Sequence, residues 1–246
     1  MSIHDFASQR LFLDAPLEAG CTIACTHDQA NYLRNVLRMG SGTTVLVFNG
    51  RDGEWRATLD ATAKRGANLH ITEQTRAQTT GPDIDYLFAP LKRSRLDYMV
   101  QKATELGVAR LRPVITQHTI AERVNSERMR ANAIEAAEQC GVLRVPDVSA
   151  PERLENILAN WVPSRTIIFC DERASEQNPI ARLGRLAPGP VAVLIGPEGG
   201  FSADERASLT RRSFVVPISL GPRIMRADTA AVAALAIVNA VLGDWR

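Results

Sequence analysis

Two loops in the last third of the chain carry the residue types that could hold a small ligand and act on it. Gly196-Pro197-Glu198-Gly199-Gly200-Phe201 follows the apolar run 191–195, and Gly221-Pro222-Arg223-Ile224-Met225-Arg226 follows the run 215–220. Glycine lets a ligand approach backbone amides and carbonyls, and proline stiffens the turn. Glu198 is the one ionisable group of the first loop, whereas the second carries Arg223 and Arg226 and leads through Asp228 and Thr229 into a helix rich in Ala and Val. The chemistry on offer is proton transfer at a carboxylate and stabilisation of an anion by a guanidinium. Gly196, Gly199 and Gly200 do not match G-x-G-x-x-G, and no Lys-Ser or Lys-Thr follows at P-loop spacing, so the dinucleotide and triphosphate fingerprints are excluded.

Such loops act together only if strands deliver them to one edge of a sheet. From residue 84 onward, strand candidates at 85–89, 110–116, 166–170, 191–195 and 214–220 alternate with helical stretches, which predicts an α/β domain with a largely parallel sheet. Loops leaving the same ends of parallel strands line one crevice. Leu96, Met99, Val100 and Ala103 recur at helical spacing, with Ser94 and Asp97 as a capping pair at the start of their helix. Ser202 and Glu205 form an S-x-x-E capping box, so a helix starts just after Phe201. Asp228 or Thr229 is expected to cap the last helix. Its residues Ala230, Ala231, Ala233, Ala234, Leu235, Ile237, Val238 and Val241 are apolar around most of the circumference, which demands burial against the core or a second subunit. The run Lys92-Arg93-Ser94-Arg95 falls where the first α/β strand meets its helix, at the same sheet end as the two loops, and reads as a phosphate contact or a solvated charge run.

The first seventy or so residues read differently. Short β-like runs at 10–14, 43–48, 54–59 and 68–72 are separated by turns, predicting a small β-rich domain or barrel. Ala30, Leu33, Val36 and Leu37 mark one short helix after Asp28, with Arg34 and Arg38 a turn apart on its other side. The segment to Thr75 is not basic, with seven Lys plus Arg against eight Asp plus Glu. A polar, turn-rich stretch at 75–83 divides a first domain, 1–74, from a second, 84–246.

With 45% hydrophobic and 23% charged residues, the 246-residue chain has the composition of a folded protein, and its net charge of +2 identifies no partner by itself. Cys21, Cys25, Cys140, Cys170 and four histidines show no zinc spacing, so no metal is expected and the thiols read as reduced. Residues 1–10 lack the apolar core of a secretory signal, and the longest apolar stretch, 230–238, is too short to span a bilayer. A cytoplasmic protein without a membrane partner is expected.

Leu194-Ile-Gly-Pro-Glu-Gly-Gly-Phe-Ser202 and Leu220-Gly-Pro-Arg-Ile-Met-Arg-Ala-Asp-Thr-Ala230 resemble the closing motifs of the ribosomal RNA small subunit methyltransferase E family, of the SPOUT superfamily. Lys102-Ala-Thr-Glu-Leu-Gly107, Glu138-Gln-Cys-Gly141 and Tyr32-Leu-Arg-Asn-Val-Leu-Arg38 extend the resemblance, in order, across nearly the whole chain. It implies a PUA-like RNA-binding β-barrel domain followed by a SPOUT-type knotted parallel-sheet α/β domain, closed by a C-terminal trefoil knot and assembled as a homodimer. It also implies S-adenosylmethionine as cofactor and N3 of one uridine in 16S ribosomal RNA as acceptor, in free RNA or in the assembled small subunit.

By the same resemblance Leu194, Ile195, Gly196, Pro197, Glu198, Gly199, Leu220, Gly221, Ile224, Met225, Arg226 and Thr229 hold the cofactor. Uridine N3 carries a proton on its pairing edge, so the base must be unpaired or flipped before reaction. Arg226 is then expected to stabilise the uridine anion, and Glu198 or Asp228 to accept the proton. Arg10, Arg34, Arg38, Lys92 and Arg93 are expected on RNA phosphates, positioning the strand without reading its sequence. Two positions depart from the family pattern. Val142 follows Gly141 where an arginine is common, leaving Arg144 as the nearest cation, and Ala227-Asp228 replaces Thr-Glu, shortening the carboxylate by one methylene. The competing readings are a non-catalytic RNA-binding ribosome-assembly factor and a nucleotide-dependent oxidoreductase with an atypical loop.

Overall fold

The computed structural model describes residues 8–62, 66–120, 123–175 and 178–245, apart from the side chain of Arg93. Most of the segment tested for a secretory signal, 1–7, therefore lies outside the described residues. The chain divides into two compact units, one running through Thr79 and including Ala137–Arg144, the other formed by Thr80–Ala136 and the residues from Val145 on.

The first unit is an N-terminal β half-barrel. It contains β1 (Arg10–Phe12), β2 (Thr22–Ala24), the helix α1 (His27–Asn31), β3 (Thr44–Phe48), β4 (Glu54–Asp60) and β5 (Asn68–Arg76). The sheet order is β1-β3-β4-β5-β2, parallel between β1 and β3 and antiparallel elsewhere. Register shifts at Glu54/Trp55 and Arg56/Ala57 bend the long β4–β5 ribbon. Thr75 and Arg76, expected in the linker, lie in β5. The missed strand β2 has only three residues and a largely exposed pattern, too short for a period-2 signal. Thr26 caps α1 with a full capping box, and a π turn follows at Tyr32–Val36. Two residues beyond it stands Arg38, whose φ of 55° is the only left-handed non-glycine backbone among the described residues. The amide of Met39 reaches back to the Leu33 carbonyl at 2.9 Å, closing the helix end as a C-terminal glycine normally would.

Arg10, expected on the RNA, is instead buried in this unit. Its Nε donates to Glu54 Oε2 at 2.8 Å, its Nη1 to the carbonyls of Ala137 and Glu138, and its guanidinium lies 4.5 Å from the Phe48 ring centroid. Arg76 holds the same carboxylate through Nε and Nη2 at 2.9 and 2.7 Å and donates to the Gly141 carbonyl at 2.9 Å. A guanidinium with its donors spent on buried partners has none left for phosphate. The Glu138-Gln-Cys-Gly141 segment thus supplies backbone acceptors to two arginines. Val142 adds a third carbonyl, 3.3 Å from Arg10 Nη2, so this departure from the family pattern keeps a backbone role.

The second unit is an α/β domain. In chain order it contains β6 (Ile84–Phe88), α2 (Arg93–Glu105), β7 (Arg110–Ile115), α3 (Ser126–Cys140, whose end groups with the first unit), β8 (Asp147–Val148), β9 (Glu152–Arg153), α4 (Leu154–Ala159), β10 (Thr166–Cys170), α5 (Pro179–Leu183), β11 (Val191–Ile195), α6 (Ala203–Thr210), β12 (Val215–Ile218) and α7 (Ala227–Val241). The order β12-β10-β11-β6-β7-β8, with β9 also on β7, is parallel throughout. β11 is buried at every position, which is why it reads as an unbroken apolar run. Val191, Val193 and Ile195 face a core shared with α2, α3 and α7, while Ala192 and Leu194 face α4 and α6. Among the described residues no helix is long and apolar enough to cross a membrane.

Candidate active site

Parallel pairing aligns the strand ends. Ile195 is level with Phe88, and Cys170 with Ile218, so the segments leaving β10, β11 and β12 emerge along one edge. They enclose a crevice of about 280 Å³. Of the residues expected there, Ile195, Gly196, Pro197, Glu198, Gly199, Leu220, Gly221, Ile224 and Met225 all line it. Leu194 is wholly buried in the core with Leu87 and Phe169, leaving only its backbone toward the loop. Thr229 is exposed on α7, and neither it nor Arg226 is among the lining residues.

The glycines have definite reasons. A Cβ on Gly196 would lie 2.5 Å from the Phe201 ring, which itself packs edge-on against Phe169 with centroids 5.1 Å apart. Gly221 has a φ of 105°, a backbone that side chains rarely adopt, and its amide donates to the buried Ser219 hydroxyl at 3.2 Å. The first loop is also held from outside: His118 Nδ1 donates to the Gly200 carbonyl at 3.0 Å, with Gly199 O at 3.2 Å. The capping box at α6 is present, and Glu205 reaches further, its Oε1 accepting from the Gln117 amide at 2.8 Å. These bonds fix the loop before any ligand arrives.

Sequence reasoning missed a third wall, Cys170, Asp171 and Glu172, together with Ala230; Phe201 and Arg223, which belong to the two loops it singled out, also line the crevice although no role was expected of them. Asp171 is 2% exposed, and Arg206 of α6 binds both its oxygens, Nη2 to Oδ2 at 2.7 Å and Nε to Oδ1 at 3.1 Å. The signal was available in principle, since Asp171 directly follows an apolar strand parallel to the other two. Burial pushes the Cys170 thiol up to about 12, so it stands in the wall as a neutral group.

Three carboxylates, Asp171, Glu172 and Glu198, and one cation, Arg223, are among the lining residues. Asp171 is paired with Arg206 and Glu198 with Arg95, cations that stand outside the lining, so within the wall Glu172 and Arg223 are the remaining charges of opposite sign. Arg226 is the N-cap residue of α7 but offers no side-chain cap; its side chain is 74% exposed, with Nε 3.9 Å from Asp228 Oδ1. The expected cap by Asp228 or Thr229 is therefore displaced, because the helix starts at Ala227, three residues before the Ala run that opens at Ala230. Asp228 sits inside the first turn, 8% exposed, and accepts from the Thr229 amide at 2.9 Å, so its carboxylate still satisfies a terminal N–H.

The basic run at α2 separates into different tasks. Lys92 is the N-cap residue and exposed, again without a side-chain cap. The expected Ser94–Asp97 capping pair is absent: Asp97 accepts instead from Arg128 Nη2 at 2.6 Å and Asn132 at 2.7 Å. Arg95 Nη1 meets Glu198 Oε1 at 2.5 Å. In the first unit Arg34 donates to the Gly66 carbonyl at 2.9 Å from a half-buried position, and Arg38 is exposed. Among the described residues no group of His, Cys, Asp and Glu is arranged to hold a metal ion.

Residues 79–239 match the family described as an RNA methyltransferase domain, and residues 26–72 match an RNA methyltransferase PUA domain. The chain is 30% identical over 232 residues to the ribosomal RNA small subunit methyltransferase E of Rickettsia conorii, covering 94% of each protein. It is 32% identical over 225 residues to that of Synechocystis, covering 90% of this chain and 74% of the relative. Among solved structures, the Neisseria gonorrhoeae ribosomal RNA small subunit methyltransferase E, bound to S-adenosyl methionine, superposes with a TM-score of 0.87 at 26% identity, covering 97% of this chain and all of the other.

Proposed function

The chain belongs to the ribosomal RNA small subunit methyltransferase E family, and from that premise we propose how its crevice serves the reaction. The activity is S-adenosylmethionine-dependent methylation of uridine N3 in 16S ribosomal RNA. The observation that carries the reading is the crevice at the ends of β10, β11 and β12, with backbone open at Gly200 and Gly221 and a wall richer in carboxylates than in cations. That donor set fits a cofactor bearing a sulfonium and an ammonium, and Ile195, Leu220, Ile224 and Met225 offer apolar surface for its adenine. When bound, S-adenosylmethionine supplies an electrophilic methyl group; everything else falls to the protein.

Arg226 takes the anion-stabilising role. Its guanidinium is exposed and only loosely paired with Asp228, so it is available to a uracil that loses its N3 proton. Glu198 is the proton acceptor, because it lines the crevice whereas Asp228 is buried and bonded to a backbone amide. Rigid loops hold the base in line with the methyl group, so positioning supplies much of the rate. Arg34, Arg38 and Lys92, with Arg93, contact RNA phosphates, and affinity falls as salt rises.

The knot is part of this proposal, supported by β11 lying between β10 and β6, which precede it in sequence. So is a homodimer through α7, where Val232, Ala233, Ala236 and Ile237 remain half-buried with Ala240 exposed. So, too, is a cytoplasmic location with the ribosome. Arg226→Ala is expected to bind S-adenosylmethionine as the parent does in calorimetry while methyl transfer falls about 10²- to 10³-fold. Transfer is read as a reverse-transcription stop, since methylation at N3 blocks pairing. Unchanged turnover removes Arg226 from the reaction, and no heat with the parent chain favours a non-catalytic RNA-binding role instead.

A further inference from the structure

Glu198 borders two cavities. Besides the cofactor crevice it lines a second space of about 260 Å³, together with Pro90, Leu91, Lys92, Arg95 and Ile120. Two cations and a carboxylate there face hydrocarbon, and Ile120 is 68% exposed. A nucleotide asks for this pairing: an apolar surface for the face of the base and cations for its phosphate. We propose that this cavity seats the acceptor nucleotide, and that Arg95, held by Glu198 in the free protein, passes to the nucleotide's phosphate when RNA binds. The inference rests on the methyltransferase reading and adds to it a site and a positioning residue.

The ion pair is built for exchange. The Arg95 and Glu198 side chains are 33% and 36% exposed, so water screens their attraction. A phosphate offers a guanidinium two charge-assisted hydrogen bonds, and Lys92 on the same wall adds a second cation that has no carboxylate to give up among the ion pairs described. Exchange leaves the Glu198 carboxylate without its cation where the two cavities meet. The N3–H bond can then break toward Glu198, the proton forming an O–H on the carboxylate and the electron pair remaining on nitrogen. Arrival of the nucleotide's phosphate at Arg95 thereby frees the carboxylate that takes the proton from its base.

The test is a titration of a fluorescein-labelled single-stranded fragment of 16S ribosomal RNA with the full chain, across a salt series. Arg95→Ala is expected to weaken binding about tenfold and to lower the log–log salt slope by about 0.7, the signature of one lost phosphate contact on a single strand. Glu198→Gln is expected to tighten binding about threefold by releasing Arg95. That gain should vanish in the double variant Arg95→Ala/Glu198→Gln. A gain that persists in the double variant means simple repulsion between Glu198 and RNA and overturns the exchange. Parent-like affinity and slope in Arg95→Ala overturn the site. Circular dichroism and the thermal unfolding midpoint of each variant report that it is folded. A parent chain that neither binds S-adenosylmethionine nor methylates RNA refutes the functional reading; a parent that does both beside an indifferent Arg95→Ala refutes this inference alone.

Discussion

Arginine meets glutamate in both units, and the surroundings give the two meetings opposite consequences. In the N-terminal unit the Arg10 and Glu54 side chains are 6% and 4% exposed, and Arg76 completes a triad with backbone carbonyls filling the remaining donors. In the α/β unit the Arg95 and Glu198 side chains are 33% and 36% exposed, with a cavity on either side of the carboxylate. Desolvation makes a buried pair costly to break, because either partner alone is a stranded charge. Solvent makes an exposed pair cheap to break, so its groups can serve another ligand. The lesson is that residue type does not separate a structural arginine from a functional one; the dielectric around it does.

The sharpest way to test that contrast is Glu54→Gln. It leaves two buried guanidiniums facing a neutral amide, and denaturant unfolding should show a loss of about 3 to 5 kcal/mol. A loss below 1 kcal/mol would make the buried triad no different from a surface pair. Next in size is Arg10→Lys, which keeps the charge but cannot span Glu54, Ala137 and Glu138 from one planar group; about 1 to 3 kcal/mol should go.

Acid separates the pairs further. Burial pushes the Glu54 carboxyl up, but the hydrogen bonds and charges of Arg76 and Arg10 outweigh it and hold the group below the usual carboxylate range. With the folded value depressed, its contribution is complete above the unfolded value of about 4.3 and is lost as pH falls below that toward the folded one. Unfolding curves of the parent should therefore weaken below about pH 4.3 more than those of Glu54→Gln. The smallest effect is expected for Arg95→Ala, whose unfolding free energy should change by less than about 1 kcal/mol, leaving its effect on RNA binding as the measurable one.

The α/β framework was legible because its strands are buried on both faces: 166–170 and 191–195 match the observed strands residue for residue. The α6 start was legible because Ser202 and Glu205 satisfy one another locally. What escaped notice depends on long-range partners or on elements too short to show a period. β8 and β9 have two residues each. Asp97 abandons its local cap for Arg128, a residue on another helix. Arg10 looked like a surface cation because nothing in its neighbourhood announces Glu54, Arg76 or the 137–142 carbonyls. Within the site, both glycine loops were read correctly as one crevice, whereas the wall after β10 and the Arg95–Glu198 pair emerged only when the sheet aligned its edges. Motifs such as Lys102–Gly107 turn out to do structural work: Leu106 O accepts from Asn239 of α7 at 2.8 Å, tying one helix end to the last helix.

Cys170 gives the crevice a chemical immunity. A sulfonium-bound methyl group is open to attack by any good sulfur nucleophile, and with the proposed cofactor in this crevice a thiolate in its wall would be a natural thief. With its thiol pushed up to about 12, the group stays protonated at neutral pH. On the proposed reading, the partial burial of Cys170 at the end of β10 leaves the wall unable to compete for the methyl group, which goes to an acceptor that arrives from outside.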